Sequence, residues 1–259
     1  MERPLILTFD MGTQSARAML VDPEGNIAAK VQKRYEQPYL SPEPDWAEQS
    51  ADFYWDALCE VSRALRDKAP ALWPRVLAVT LTCIRDTSVC VDIEGRPLRN
   101  AILWLDKREA HGLPRIPAPT KAAFMAVGMY ESVKLQRRMS VCNWIKVHQP
   151  DIWAKTHKFL MLSAYLNYRL TGHYVDSCAN LIGHIPFDSK ERRWMRMSDM
   201  RRCIFDIEPE KLYSIVEPGE VIGTVQPGAA ARTGIPEGMQ LIATGSDKGC
   251  ETLGLSCLG

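Results

Sequence analysis

The residue pattern predicts an α/β domain in which a mixed sheet is flanked by helices and interrupted by a helical insertion. Three observations carry that prediction. Short apolar runs separated by turn residues open the chain, strand-like runs alternate with helical ones at both ends, and the stretch from about 121 to 206 is mostly helical in its pattern.

Leu5-Ile6-Leu7-Thr8-Phe9 reads as a buried strand, broken at Asp10-Met11-Gly12-Thr13, and a second strand-like run from Ala16 to Val21 follows at once. Asp22-Pro23-Glu24-Gly25-Asn26 is a turn, and Ile27 to Val31 completes a three-stranded antiparallel meander. After a Pro-rich loop, Gln37 to Asp45, the spacing of Phe53, Ala57, Leu58, Val61 and Leu65 predicts a helix from about Asp52 to Lys68. Leu77 to Thr82 reads as a strand. A hairpin from Ser88 to Ile93 turns at Glu94-Gly95-Arg96-Pro97 and leads into Ala101 to Trp104. Within the insertion, Lys158 to Leu170 is the clearest helical stretch, closed by Gly172 as a C-cap. Glu220 to Gln226 and Gln240 to Thr244 return to strand character across a turn-rich segment from Pro227 to Gly238, and a helix begins near Asp247.

Bulk composition excludes several functions. Among 259 residues, 46% are apolar and 24% charged, and Lys plus Arg (32) nearly cancel Asp plus Glu (31), so neither nucleic acid nor an anionic membrane is expected as a partner. The most basic stretch, Lys190 to Arg202, is open to two readings, a phosphate-binding patch or the solvated face of a helix. Eight cysteines are scattered without a C-x-x-C or a histidine at ligand spacing, which predicts free thiols and a reducing cytoplasm. With no apolar run approaching the ~20 residues of a membrane span, a soluble chain is expected.

Three segments carry candidate chemistry. In Asp10-Met11-Gly12-Thr13-Gln14-Ser15-Ala16-Arg17 an acid ends a strand, a glycine permits a tight reversal, and a period of two puts Thr13, Ser15 and Arg17 on one face. Turn amides, hydroxyls and a guanidinium suit phosphate oxygens, and Asp10 suits Mg²⁺. The alternative is a plain β-hairpin in which Gly12 serves the turn and Arg17 is solvated. Asp247 follows Leu241-Ile242-Ala243-Thr244-Gly245-Ser246, at the strand end where open α/β sheets place ligands, as a general base or as the N-cap of the next helix. Arg85-Asp86 and Trp104-Leu105-Asp106-Lys107-Arg108 also follow strands. They offer charged groups for hydroxyls and an aromatic face for C–H surface, or else a core tryptophan with surface ion pairs.

Taken in order, these segments resemble the N-terminal domain of the FGGY carbohydrate kinases (glycerol kinase, xylulokinase, ribulokinase and relatives). The likeness runs from Ile6 to Gly254. It rests on the Asp10 to Arg17 hairpin, Asp45-Trp46-Ala47-Glu48-Gln49, Trp104 to Arg108, Tyr165-Leu166-Asn167-Tyr168-Arg169-Leu170-Thr171-Gly172, and Gly245-Ser246-Asp247. The resemblance implies an actin-like, ribonuclease-H-like fold and phosphorylation of a sugar or polyol by ATP with Mg²⁺. It implies Asp247 as general base, Asp10 at the metal, and Gly12, Thr13, Gln14, Ser15 and Arg17 near the transferred phosphoryl group. Arg85, Asp86, Trp104, Asp106 and Arg108 would bind the substrate.

Two departures qualify the resemblance. Lys248 stands where relatives carry Gln or Asn, and a cation there favours the ionised base or marks a catalytically idle sugar-binding domain. Arg85-Asp86 leans towards glycerol kinases and Trp104 to Arg108 towards ketose kinases, which leaves the substrate open. Family members carry a second, nucleotide-binding domain, and the chain ends at Gly259. The resemblance therefore leads us to expect the sugar-binding domain alone, with weak sugar binding, little turnover, and self-association through the face a second domain would cover.

Overall fold

The computed structural model describes residues 3–255. The chain opens with β1 (Leu5–Met11), β2 (Ser15–Val21) and β3 (Ile27–Arg34), an antiparallel meander as expected. It continues through β4 (Glu48–Gln49), α1 (Ala51–Lys68), β5 (Val76–Cys83), β6 (Ser88–Val91) and β7 (Ala101–Ile102). Four helices follow, α2 (Ala118–Ala126), α3 (Tyr130–Met139), α4 (Val141–His148) and α5 (Pro150–Lys155). Next come β8 (Lys158–Met161), α6 (Leu162–Thr171), β9 (Val175–Ser177), β10 (Phe187–Asp188) and β11 (Arg193–Trp194). The chain then runs through β12 (Ser214–Val216), β13 (Val221–Thr224), α7 (Pro227–Thr233), β14 (Gln240–Ile242) and α8 (Asp247–Gly254).

Six strands form the main sheet, in the order β13-β14-β5-β1-β2-β3. β5 lies parallel to both β1 and β14, while the remaining neighbours are antiparallel, so the sheet is mixed. One face is apolar throughout. Leu5, Leu7, Phe9 and Met11 of β1, Ala16, Ala18 and Leu20 of β2, and Val79, Leu81 and Cys83 of β5 are all buried. α1 and α6 pack on this side, α1 burying Tyr54, Trp55, Leu58, Val61 and Leu65. Asp52 in the first turn of α1 and Arg66 and Lys68 in its last turn suit the helix dipole. A second, antiparallel sheet, β4-β7-β6-β8, continues the core. Among the described residues no helix is long and apolar enough to cross a membrane. The seven described cysteines are free thiols, and Cys257 lies outside the described residues.

Four expectations are corrected. Lys158 to Met161 is a strand paired with β6, and the helix starts only at Leu162. Phe159, Leu160 and Met161 are all buried, and a continuous apolar run does not distinguish a doubly covered strand from a helix. Gly172 does close α6, at φ 76°, with its N–H on the Tyr168 carbonyl. The turn-rich segment after Gln226 contains α7, in which Pro227 occupies the first turn and Gly234, at φ 74°, terminates it. Proline and glycine there bracket a helix.

From 172 to 206 the chain forms short strands and single 3₁₀ turns, so the basic stretch from Lys190 to Arg202 is no helix face. Asp188 accepts the amides of Lys190 and Glu191, and Asp199 accepts that of Arg201, local bonds that compete with a helical ladder. Arg201 is spent on Asp188 and Asp199, and Arg202 is buried on the carbonyls of Met195 and Ile207.

Asp106 and Arg108 belong to the core and not to a ligand site. Arg108 Nε and Nη2 donate to the two Asp106 carboxylate oxygens at 2.7 and 2.6 Å, and Nη2 also reaches Glu48 at 2.9 Å. Its guanidinium lies 3.9 Å from the Trp46 ring centroid and 4.6 Å from that of Trp144. Asp106 additionally accepts the Ala47 and Arg108 amides, tying the loop after β7 to β4. Removing one partner strands the other charge in the core. Asp106→Ala is expected to destabilise the fold by about 3–5 kcal/mol in chemical denaturation.

Asp176 is a second buried acid. It accepts from Ser163, Asn167, Asn180 and the Ser177 amide, fastening the segment after β9 to α6. Burial outweighs these donors and pushes its carboxyl from 3.8 up to about 6. The folded state therefore holds this proton to higher pH than the unfolded chain does. Its contribution to stability is greatest below pH 4 and falls as pH rises towards 6. Measured against Asp176→Asn by urea denaturation, the wild type should lose roughly 2 kcal/mol between pH 4 and pH 7, and a gain over that window would refute the assignment.

Candidate active site

Strand alternation decides where the first acid points. Because Phe9 and Met11 face the core, Asp10 lies on the opposite face of β1, and the antiparallel register sets it across from Arg17. The two side chains form an ion pair. Between the strands, Gly12 donates to the Ser15 carbonyl at 3.0 Å. A Cβ on Gly12 would stand 3.2 Å from that carbonyl oxygen, so the tight reversal favours glycine. Among the described residues the amides of Thr13 and Gln14 meet no protein acceptor. Ser15 is buried and its hydroxyl accepts from Gln32 at 3.1 Å.

β5 runs parallel to β1 and ends beside it, the Ile84 amide reaching the Met11 carbonyl at 3.0 Å. The chain then turns through Arg85 and Asp86, and Asp86 adopts φ 51°. Asp is one of the residue types that tolerates the left-handed region. On the other side of β5, Thr244 Oγ1 donates to the Leu81 carbonyl at 2.5 Å and Thr82 Oγ1 to the Gly245 carbonyl at 3.3 Å. These bonds deliver Asp247 to the same end of the sheet. Ser246, not Asp247, caps α8, accepting the Gly249 amide at 3.3 Å. The Asp247 carboxylate instead lies 3.4 Å from Arg85 Nε.

Asp10, Arg17, Arg85, Asp86 and Asp247 thus converge on one cavity of about 640 Å³, lined also by Gly12, Thr13, Gln14 and Ser15. It opens at the carboxyl ends of β1, β5 and β14, where open α/β sheets bind ligands. Trp104 forms part of the wall, 53% exposed, with its Nε1 on Thr13 Oγ1 at 3.0 Å. It is neither a core residue nor fully solvated. Lys248 also lines the cavity but pairs with Glu251 at 2.8 Å, which raises its pKa.

The structure adds residues that no sequence signal announced. Ile182 and Gly183 form a rim of the cavity, and His184 binds Asp86 behind them. Burial works against a charged imidazole, yet the hydrogen bond and charge of Asp86 raise His184 above its ordinary 6.5. These residues sit in irregular chain with no periodicity, and a lone Gly-His pair carries no motif.

Residues 5–254 match the profile of the FGGY family of carbohydrate kinases, N-terminal domain. An uncharacterised sugar kinase, YgcE, of Escherichia coli K12 is 28% identical over 258 residues, covering all of this chain and 45% of its own length. The glycerol kinase of Thermococcus gammatolerans is 30% identical, with 86% of this chain and 45% of the relative covered. The xylulose kinase of Bacillus subtilis is 25% identical, with 98% and 50% covered. The chain spans about half the length of the curated relatives it matches. Among solved structures, a gluconate kinase from Lactobacillus acidophilus superposes with a TM-score of 0.78 at 20% identity, over 98% of this chain and 50% of that one. A ligand-bound xylulose kinase from the same organism gives 0.77, also at 20% identity and with the same coverage. These neighbours share the actin-like ATPase fold. With the family profile spanning nearly every described residue, the chain belongs to the FGGY carbohydrate kinases as their N-terminal domain.

Proposed function

We propose that this domain carries the acceptor pocket, the phosphate hairpin and the general base for transfer of a phosphoryl group from ATP to a primary hydroxyl of a sugar or polyol. The observation that supports it is the meeting of the Asp10–Arg17 hairpin, the Asp86 and Asp247 carboxylates and an aromatic wall around one cavity. In this reading the Thr13 and Gln14 amides and Arg17 receive phosphate oxygens. Arg85, Asp86 and Trp104 hold the acceptor, and Asp247 takes the proton of the attacking hydroxyl.

Asp10 suits Mg²⁺. Among the described residues no cluster of three or more ligating side chains exists, and Mg²⁺ is typically held by one or two carboxylates with phosphate oxygens and waters. A bound Mg²⁺ supplies neutralisation of phosphate charge. Arg17 already pairs with Asp10, so an arriving phosphate draws the guanidinium to itself and leaves the carboxylate available. Lys248 beside the base was one of two grounds for the idle-domain reading. That cation is engaged by Glu251, while Arg85 is the group that meets Asp247.

The test is a thermal-shift and calorimetric screen of the chain against glycerol, D-xylulose, L-fuculose and D-gluconate, with and without MgATP. One of them should raise the melting temperature. Trp104→Ala should weaken that ligand about tenfold through loss of aromatic contact, leaving the unliganded melting temperature near wild type because Trp104 is half exposed. Silence across the whole panel would remove the polyol reading.

Asp247→Asn separates binding from chemistry. In an ATP-coupled phosphorylation assay of a polypeptide carrying this domain, it should lower kcat on the order of 10²–10⁴-fold, the usual range for a general base, with acceptor affinity little changed. An unchanged kcat would move the base elsewhere.

A further inference from the structure

Asp86 is held in the cavity from both its backbone and its carboxylate. Its backbone is held in the left-handed region, at φ 51°, between two fixed points. Before it, Ile84 N–H donates to the Met11 carbonyl, and after it, Leu162 N–H donates to the Thr87 carbonyl at 2.9 Å. A non-glycine residue persists in that region when its surroundings over-determine it, and such residues cluster where a side chain must be aimed.

The surroundings that aim it come from the chain's irregular middle. The His184 amide donates to Asp86 Oδ1 at 2.9 Å, and His184 Nδ1 meets Asp86 Oδ2 at 2.7 Å. Each carboxylate oxygen therefore has one donor, both from the same residue. Gly183, at φ 146°, lies flat against the carboxylate. A Cβ there would stand 2.4 Å from Oδ1 and 2.8 Å from the carboxyl carbon. Gly183 and His184 are flanked by buried Leu181 and Ile185, and the His184 and Phe205 ring centroids lie 6.2 Å apart in a T-shaped contact.

We propose that Gly183 and His184 form a clamp that sets the direction of the Asp86 carboxylate, making His184 a positioning residue for the acceptor hydroxyls. A carboxylate accepts about four hydrogen bonds. The clamp takes one on each oxygen and leaves one on each for hydroxyl donors from the cavity. Asp86 is thereby held as a two-point acceptor for neighbouring hydroxyls, a geometry in which small rotations cost affinity. The functional part of this inference rests on the polyol reading above. The clamp itself does not.

Two measurements keep the two apart. In NMR titration of the wild-type chain, the His184 imidazole should titrate above 6.5, and Asp86→Asn should bring it down. A His184 that titrates at or below 6.5 and ignores Asp86→Asn overturns the clamp, whatever the ligand screen gives. In calorimetry with glycerol, D-xylulose, L-fuculose and D-gluconate, His184→Leu should weaken the binding probe about tenfold or more. His184→Asn, whose Nδ2 replaces the lost Nδ1 donor, should recover most of it, whereas His184→Gln should not. Gly183→Ala should weaken it as well, by pushing the carboxylate aside. Equal affinity in wild type and His184→Leu overturns the positioning role while leaving the polyol reading intact. If the wild type binds none of the four, the polyol reading and the positioning role fall together, and the titration alone decides the clamp.

Discussion

The alternation of β1 is the constraint on which the site depends. Leu5, Leu7, Phe9 and Met11 are all buried beneath α1 and α6. Burying a side chain of that size contributes roughly 1.5–3 kcal/mol, so a slip of one residue would forfeit several such terms and put the Asp10 carboxylate into the core. The register of β1 against β2 and β5 is therefore not adjustable. Asp10 is held opposite Arg17, and the end of β5 is held beside Met11, before any ligand arrives. β14 inherits the same reference through its pairing with β5, extended by Thr82 and Thr244. Asp247 reaches the cavity by that route.

What was legible in the sequence follows from this. Period-two alternation and apolar runs report burial, so the three opening strands, β5 and the long first helix could be read directly. The charged residues at their ends could be placed because the acids interrupt those runs, and Asp10, Asp86 and Asp247 do line one cavity. Lys158 to Met161 was misread since a strand covered on both faces has no alternation to display. Asp106 and Arg108 were misassigned for a different reason. A charged pair looks the same in sequence whether it faces solvent, a ligand or two tryptophans, and only the stacking of Trp46 and Trp144 tells which. The irregular segment after α6 was opaque because its order comes from side chains that satisfy backbone amides, as Asp188 and Asp199 do, and not from periodicity.

That irregular segment is nevertheless tied to the core. Asp176 gathers Ser163 and Asn167 from α6 with Asn180 from the turn that follows β9. Leu181 is buried immediately afterwards, and the rim of Ile182 and Gly183 comes next. A buried acid thus fixes the start of the loop whose next turn meets Asp86. The cost is an ionisable group that would be easier to bury neutral, which is why its carboxyl is pushed up to about 6.

Charge in the cavity follows a pattern of its own. Its four carboxylates each have a partner: Asp10 with Arg17, Asp247 with Arg85, Asp86 with His184 and Glu251 with Lys248. Such pairs add little stability where water reaches them, typically under ~1 kcal/mol, so their value lies in direction and in ease of exchange. Exposure grades them. The side chains of Lys248 and Glu251 are 59% and 60% exposed, those of Arg17 and Asp10 38% and 27%, those of Arg85 and Asp247 37% and 23%, and those of His184 and Asp86 20% and 23%. The most exposed pair can surrender its cation to an incoming anion at the least cost, and the Asp10 and Asp247 pairs come next. Asp86 and His184 are the least exposed of the four and are joined by two hydrogen bonds, so they resist exchange. A fixed Asp86 beside exchangeable pairs at Asp10 and Asp247 suits a reaction in which one acceptor contact stays still while charge moves past it.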